Sequence, residues 1–133
     1  EPAALYETEA DVLVPGARTG ALDAERAGRV RARVVAPAAN VPYTEAGLSA
    51  LTARRIVALP DFACSVGATL AIHAGPDASA AEVARGVERR VQGLVRTAMA
   101  HAGGPFAGAC ALAAEYLETW VEPELLPLAP PLA

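Results

Sequence analysis

The side chains whose types and spacing first suggest chemistry on a ligand lie between residues 40 and 73. Ser65 and His73 suggest a nucleophile and its base, but no third orienting group and no nucleophile-elbow glycine pattern accompanies them. We therefore interpret Ser65 as a polar residue at the start of a helix. Cys64 stands beside the same predicted helix start, where a thiol can become reactive, although a small core residue is the commoner role there.

Two polar residues of this stretch each allow two interpretations. Asn40 lies in an Ala-Asn-Val-Pro loop, where its amide can either contact a ligand or stabilise a turn. Asp61 follows Pro60, and we interpret it as a helix cap beside a site rather than as a catalytic group, because no partner for it is visible. Cys64 and Cys110 have no second cysteine or histidine at zinc-site spacing, so we expect no metal site.

The elements that must position these side chains alternate in a regular order. Short apolar runs end at a proline at residues 10–15, 31–37 and 56–60, and they are typical of buried parallel strands. Between these apolar runs, Asp23 can cap a helix over residues 23–29 and Thr44 one over residues 45–54. The pattern predicts an α/β fold with a partial Rossmann-like parallel sheet of about three strands, joined by crossover helices.

In such a sheet, ligands bind at the carboxyl ends of the strands. The predicted ends are residues 14–17, 36–42 and 60–67, which are rich in small residues, proline and glycine. Small residues let a ligand approach the backbone closely. The sequence therefore predicts a binding site formed by these three loops.

The C-terminal half is predicted to be helical. Ser79 and Glu82 have capping-box spacing, and the helix that they open carries an apolar stripe from Val83 to Ala98, which we interpret as core or subunit interface. His101 near its end is expected to interact with the C-terminal carbonyls. A second helix is predicted over residues 106–121, followed by a proline-rich tail over residues 122–133.

Composition excludes several classes of function. The 133 residues are 53% hydrophobic and 20% charged, which suits one folded domain. The net charge is -4 and the longest basic runs are Arg54-Arg55 and Arg89-Arg90, so we expect no binding to nucleic acid. We find neither a signal-peptide pattern nor an apolar run of the ~18 residues that a membrane span needs, and we expect a cytoplasmic protein.

The amino-acid sequences of the three loops are similar to those of a known family. Residues 10–17 (ADVLVPGA), 36–44 (APAANVPYT) and 59–62 (LPDF), followed by Gly67, resemble the Glu/Leu/Phe/Val amino-acid dehydrogenases in order and in spacing. The resemblance extends from about residue 9 to about residue 117. Because no aromatic-acidic stretch follows Gly67, the chain resembles the leucine, valine and phenylalanine branch more than the glutamate branch.

The resemblance implies an activity and a cofactor site. Members of the family convert an L-amino acid to a 2-oxo acid and ammonia and pass a hydride to NAD or NADP. By resemblance, Ala17 would line the adenosine half of the cofactor, and Asn40 would hydrogen-bond its ribose or nicotinamide. Asp61 would position the loop that reaches the nicotinamide. Ser65 would face the cofactor at a position where the family usually has asparagine.

Parts of the family's machinery are absent from the sequence. No G-x-G-x-x-G turn follows a strand, and the chain contains no lysine to act as the family's catalytic lysine. We therefore interpret residues 1–121 as the second half of a dinucleotide-binding domain with its C-terminal helices, and we assign no catalytic residue to it. The sequence starts at Glu1 without methionine, so we expect either a processed start or the tail of a longer chain.

Two hypotheses follow from these observations. In the first, the chain is the C-terminal, nucleotide-binding part of an amino-acid dehydrogenase, incomplete on its own, and a missing N-terminal part or second subunit, or a homo-oligomer, completes it. In the second, it is a stand-alone remnant without catalysis that acts as a binding or assembly module. Such a module would dock a partner through the sheet edge that the missing strands leave unpaired.

Overall fold

The computed structural model describes residues 4–75 and 77–119, so the predicted tail at residues 122–133 lies outside the described residues. Its helices and strands are as follows: α1 (Ala4–Glu7), β1 (Val12–Leu13), α2 (Ala24–Arg29), β2 (Val34–Val35), α3 (Glu45–Ala53), β3 (Val57–Ala58), α4 (Asp61–Cys64), α5 (Gly67–Ile72), α6 (Ala80–Met99) and α7 (Gly104–Glu118). The order confirms the predicted alternation of strands and helices. The short helix α1 was not predicted.

A three-stranded parallel sheet in the order β1-β2-β3 forms the centre of the fold, which confirms the predicted α/β class. Val12 pairs with Val34, and Val34 pairs with Val57. Each strand is only two residues long, shorter than predicted. Pro15 and Pro37 follow β1 and β2 closely, and proline has no N–H to continue a ladder of hydrogen bonds.

The helices between the strands begin where their caps predict. The Asp23 side chain accepts a hydrogen bond from the Arg26 N–H, and the Thr44 side chain accepts one from the Gly47 N–H. Gly47 lies against the backbone of Leu22, so closely that a Cβ atom there would sit 1.9 Å from the Leu22 carbonyl oxygen. This close approach packs α3 against the chain that leads into α2.

One apolar core joins the sheet to these helices. Its buried members are Leu13, Leu22, Ala27, Val30, Ala32, Val35, Tyr43, Leu51 and Ala58. Burial of a Leu or Val side chain contributes roughly 1.5–3 kcal/mol, so this cluster holds the strand ends in fixed positions relative to one another. The loops that follow the strands therefore start from a rigid base.

The C-terminal helices pack on each other, and α7 also packs against β3 of the sheet. The capping box at Ser79 and Glu82 is present as predicted. Of the predicted apolar stripe on α6, Ala98 is buried, whereas Val83 is half-buried and Leu94 is exposed. Phe106 on α7 makes an edge-to-face contact with Tyr43, at a ring-centroid distance of 6.3 Å.

Other predictions for this half were wrong in detail. The segment after Pro60 forms two short helices, α4 and α5, instead of one. The ring of His101 does not bind a C-terminal carbonyl, because its Nδ1 atom accepts a hydrogen bond from the Gly103 N–H at 3.1 Å. Among the described residues, no helix is both long enough and apolar enough to cross a membrane.

Candidate functional site at the carboxyl edge of the sheet

The loops that follow the three strands meet at the carboxyl edge of the sheet. The N–H groups of Ala38 and Ala39 both donate to the Pro15 carbonyl, at 3.0 and 3.1 Å. The Thr19 hydroxyl donates to the Asn40 carbonyl at 3.3 Å. The loop after β1, which carries Ala17, is thereby bound to the loop after β2, which carries Asn40.

Asp61 connects this pair of loops to the third. The Val41 N–H donates to the Asp61 Oδ2 atom at an N···O distance of 2.8 Å. Val41 has a φ of 47°, in the left-handed region that β-branched residues rarely occupy. By accepting this hydrogen bond, Asp61 holds Val41 in a strained conformation and so fixes the backbone next to Asn40.

This geometry shows that the predicted helix cap at Asp61 was wrong. The N-cap of α4 is Pro60, no side chain caps that helix, and Asp61 is the first residue inside it. The carboxylate turns toward the loop after β2 because the strained Val41 N–H is a nonlocal donor within its reach. Asp61 is thus a link between loops.

Ser65 lies at the end of α4, not at the start of a helix as predicted. Its hydroxyl donates to the Asp61 carbonyl at 2.8 Å, and its side chain is exposed. The His73 Nδ1 atom bonds the Thr69 carbonyl at 2.8 Å. Each side chain bonds to the preceding turn of its own helix, so Ser65 and His73 do not form a nucleophile–base pair.

Tyr43 stabilises the same edge of the sheet, and it was not identified from the sequence as a candidate residue. Its buried hydroxyl donates to the carbonyl of Leu59, just after β3, at 2.8 Å. Burial, and then the nearby Cys64 and Asp61, raise the pKa of Tyr43 well above its ordinary value. The hydroxyl therefore stays protonated and acts as a structural donor between the loop after β2 and the end of β3.

Cys64 is half-buried beside Tyr43. Burial, followed by the charge of Asp61, raises the pKa of the Cys64 thiol. Since the thiolate is the nucleophile, a raised pKa makes this cysteine less reactive than an ordinary one. The structure thus favours the interpretation of Cys64 as a packing residue.

The surface that results combines polar and apolar groups. Ala17 and Asn40 are exposed, and the side chains of Val14 and Val41 are 58% and 59% exposed at the same edge. Asn40 offers an amide donor and acceptor, and the valines offer flat apolar contact for a ring. Within residues 4–75 and 77–119, no group of three or more His, Cys, Asp or Glu side chains could hold a metal ion.

The four predicted site residues are thus related in space. Ser65 contacts Asp61 directly, and Asp61 reaches Asn40 through Val41. Ala17 lies on the loop that Thr19 joins to Asn40. Nothing in the sequence pattern predicts these hydrogen bonds between distant residues. The aromatic residue after Pro42 could have drawn attention to Tyr43.

Comparison with known proteins identifies the family. A family model described as Glutamate/Leucine/Phenylalanine/Valine dehydrogenase matches residues 1–103. Over 63 residues, 47% of this chain, the sequence is 40% identical to the cryptic catabolic NAD-specific glutamate dehydrogenase of Bacillus subtilis. Over an equal length it is 38% identical to the glutamate dehydrogenase of Thermotoga maritima. These alignments span 15% of the length of each of those relatives.

Solved structures agree with the sequence relatives. The hetero-hexameric glutamate dehydrogenase of Thermus thermophilus superposes with a TM-score of 0.76 and 30% identity, over 90% of this chain and 31% of that chain. The glutamate dehydrogenase of Peptoniphilus asaccharolyticus gives 0.69 and 26%, over 80% and 30%. The L-tryptophan dehydrogenase of Nostoc punctiforme, at 18% identity and a TM-score of 0.67, shares the fold. This chain, which spans about a third of those structures, belongs to the Glu/Leu/Phe/Val dehydrogenase family.

Proposed function

We propose that this chain is the C-terminal, nucleotide-binding part of an NAD(P)-dependent amino-acid dehydrogenase. The reaction is the oxidative deamination of an L-amino acid to a 2-oxo acid and ammonia. The observation that carries the proposal is the set of loops after the three parallel strands, bound to one another through Asn40, Val41 and Asp61. Parallel sheets of this kind bind their ligands at that edge.

The residues of the edge suit a dinucleotide. Asn40 would hydrogen-bond the ribose or the nicotinamide, and Ala17 would allow the adenosine half to lie close to the backbone. Asp61 and Ser65 would position the loop that faces the nicotinamide, and the exposed Val41 would pack on a ring. When bound, NAD or NADP supplies the acceptor for the hydride.

The rest of the machinery would come from outside these residues. The sequence contains no glycine-rich phosphate turn and no lysine. We therefore infer that residues 1–121 form the second half of the dinucleotide-binding domain, and that this half alone is catalytically incomplete. A preceding segment, a second subunit or a further copy would complete it, in the cytoplasm.

The substrate is the finer part of the proposal. The curated relatives are named glutamate dehydrogenases, and the hypothesis of a leucine, valine or phenylalanine substrate stays a prediction. Initial rates of NAD and NADP reduction with glutamate, leucine, valine and phenylalanine, measured on the protein completed by the part that these residues lack, would separate the branches. A rate with glutamate alone would contradict the prediction of the leucine, valine and phenylalanine branch.

Binding of NADH tests the cofactor site directly. We expect Asn40→Ala to weaken NADH binding about tenfold, which equals a loss of ~1.4 kcal/mol. The matched control is Gln92→Ala, because Gln92 carries the same amide on the exposed face of α6, where it donates to Glu88. Titration calorimetry measures both. If the two variants bind NADH equally well, Asn40 does not contact the cofactor.

The second candidate function, a non-catalytic assembly module, has one observation in its favour. Strand β1 is an edge strand, and Val12 is 48% exposed there. An uncovered parallel edge favours pairing with another chain. This function predicts an oligomer or complex by light scattering together with no measurable NADH binding, whereas a monomer that binds NADH would contradict it.

A further inference from the structure

A groove lies at the amino ends of the strands, on the side of the sheet opposite the proposed cofactor edge. Its volume is about 440 Å³, which falls within the range of small-molecule sites. Four of the chain's eleven arginines line it: Arg31, Arg33, Arg54 and Arg55. Asp11 is the acidic residue of the lining. This cluster was not predicted, because the fold brings Arg31 and Arg33 together with the more distant pair Arg54 and Arg55.

The guanidinium groups of this groove retain free donors. The ion pair of Arg31 with the exposed Glu9 is long, at 3.8 Å. Arg54 uses its Nη1 atom to donate to the Ala27 carbonyl at 2.6 Å, which leaves its other N–H groups. In the part of the chain that the structure describes, the side chains of Arg33 and Arg55 have no hydrogen bond or ion pair.

The backbone of Arg55 adds an independent observation. Arg55 has a φ of 58° just after the end of α3, where glycine is the residue that helices most often use. The left-handed conformation strains any residue with a Cβ atom. Strained backbone conformations cluster at functional sites, and Arg55 is one of the residues that line the groove.

The floor of the groove is apolar. Val30 is fully buried below it, and Val34, Ile56 and Val57 are half-buried in its lining. A groove with cationic walls and an apolar floor excludes a cationic ligand and suits a small anion that carries more than one charge. Arginine binds phosphate through two parallel N–H···O bonds, which a second phosphate on the same molecule can repeat.

We propose that this groove is a binding site for a small anion with two or more phosphate groups. The site is separate from the proposed cofactor edge, so it stands whether or not the proposed function holds. Two sources share this chemistry: inorganic pyrophosphate and an organic bisphosphate. The apolar floor would favour the organic source.

Titration calorimetry of the protein at constant ionic strength tests the proposal, with pyrophosphate and fructose 1,6-bisphosphate as the two probes. We expect saturable binding that weakens about tenfold in Arg33→Gln and in Arg55→Gly. The matched control is Arg85→Gln on α6, an exposed arginine outside the groove, and it should bind as the unchanged protein does. Tighter binding of one probe than of the other identifies the source.

Arg55→Gly separates a binding role from a structural one. Because glycine adopts the left-handed conformation without strain, this variant should melt at the same temperature as the parent or higher, while anion binding weakens. A lower melting temperature with unchanged binding would overturn the role of Arg55.

Several outcomes overturn the site itself. They are the absence of saturable binding, equal weakening in Arg85→Gln, and displacement of pyrophosphate by saturating NADH, which would place it at the opposite edge. Tighter binding of an oligonucleotide or a polyglutamate peptide than of either probe would also overturn the assignment to a small anion.

Discussion

Removing the carboxylate of Asp61 should release the loop that carries Asn40. The left-handed conformation of Val41 costs ~1–2 kcal/mol. The hydrogen bond that the Val41 N–H donates to Asp61 offsets this cost. A hydrogen bond to a charged acceptor contributes ~1.5–3 kcal/mol. We take the lower end of that range, because both residues are partly or fully open to solvent. Asp61→Ala therefore shifts the equilibrium of the loop by ~1.5 kcal/mol, or about tenfold, toward a relaxed conformation.

Two measurements should respond differently to this shift. The affinity for NADH should fall about tenfold, because only the original loop conformation places Asn40 at the edge. The free energy of unfolding should fall by less than ~1.5 kcal/mol, since relaxation of Val41 recovers part of the lost bond. Asp77→Ala, which removes an exposed aspartate far from the loop in sequence, is the matched control and should leave both values unchanged.

A second substitution makes the reasoning refutable. Val41→Gly lets the loop adopt its positive φ without strain, so in that background Asp61→Ala should cost much less NADH affinity. Calorimetric titration of the four proteins in this double-mutant cycle measures the coupling. If Asp61→Ala weakens binding equally with and without Val41→Gly, the carboxylate acts on the ligand directly and not by positioning the loop.

Further predictions concern stability, measured by urea denaturation. Gly47→Ala should lower the free energy of unfolding by ~3 kcal/mol or more, because its Cβ atom would collide with the Leu22 carbonyl. Gly93→Ala, with open space around it on α6, should raise this free energy by ~0.5–1 kcal/mol. Ser79→Ala should remove ~0.5–2 kcal/mol with the capping box. Burial raises the pKa of Tyr43, so its neutral form stabilises the fold below the unfolded pKa of about 10, and this contribution is lost as the pH rises toward the folded pKa. Tyr43→Phe should therefore flatten the fall in stability above about pH 10.

These results would contradict the corresponding arguments. Equal effects of the two glycine substitutions would mean that α3 does not depend on its close approach to Leu22. Parallel pH curves for the parent protein and Tyr43→Phe would mean that another group controls the alkaline branch. An unchanged stability of Ser79→Ala would mean that the N-terminus of α6 is frayed.

Local signals in the sequence predicted the helix starts and the order of the strands. Asp23, Thr44 and Ser79 cap helices because their side chains bond N–H groups only three residues ahead, within reach of a short pattern. The same argument failed at Asp61, whose carboxylate prefers the distant Val41 N–H to its own helix. Which N–H group a carboxylate accepts from depends on the tertiary structure, and a single sequence does not show it.

Backbone strain was equally hidden. Positive φ values are ordinarily predicted from glycine or asparagine, yet here they occur at Val41 and Arg55. Asn40 and Asp61 were therefore predicted as site residues, but the hydrogen bond between Val41 and Asp61 that connects their loops was not predicted. The arginine groove was missed for a similar reason, because Arg33 and Arg55 lie on opposite sides of α3 in sequence and meet only at the amino ends of the strands.

The two strained residues lie at opposite edges of one small sheet, and this arrangement separates their tasks. Val41 and Asp61 organise the carboxyl edge, where the polar contacts are few and the loops are bound to each other. Arg55 belongs to the amino edge, where the guanidinium groups face a groove with few partners. Since the buried core between them holds both edges rigid, a ligand at one edge can affect the other only if it shifts that core. Pyrophosphate and NADH should therefore bind independently, and a change in the affinity for one that the other causes without displacing it would require a second conformation of the sheet.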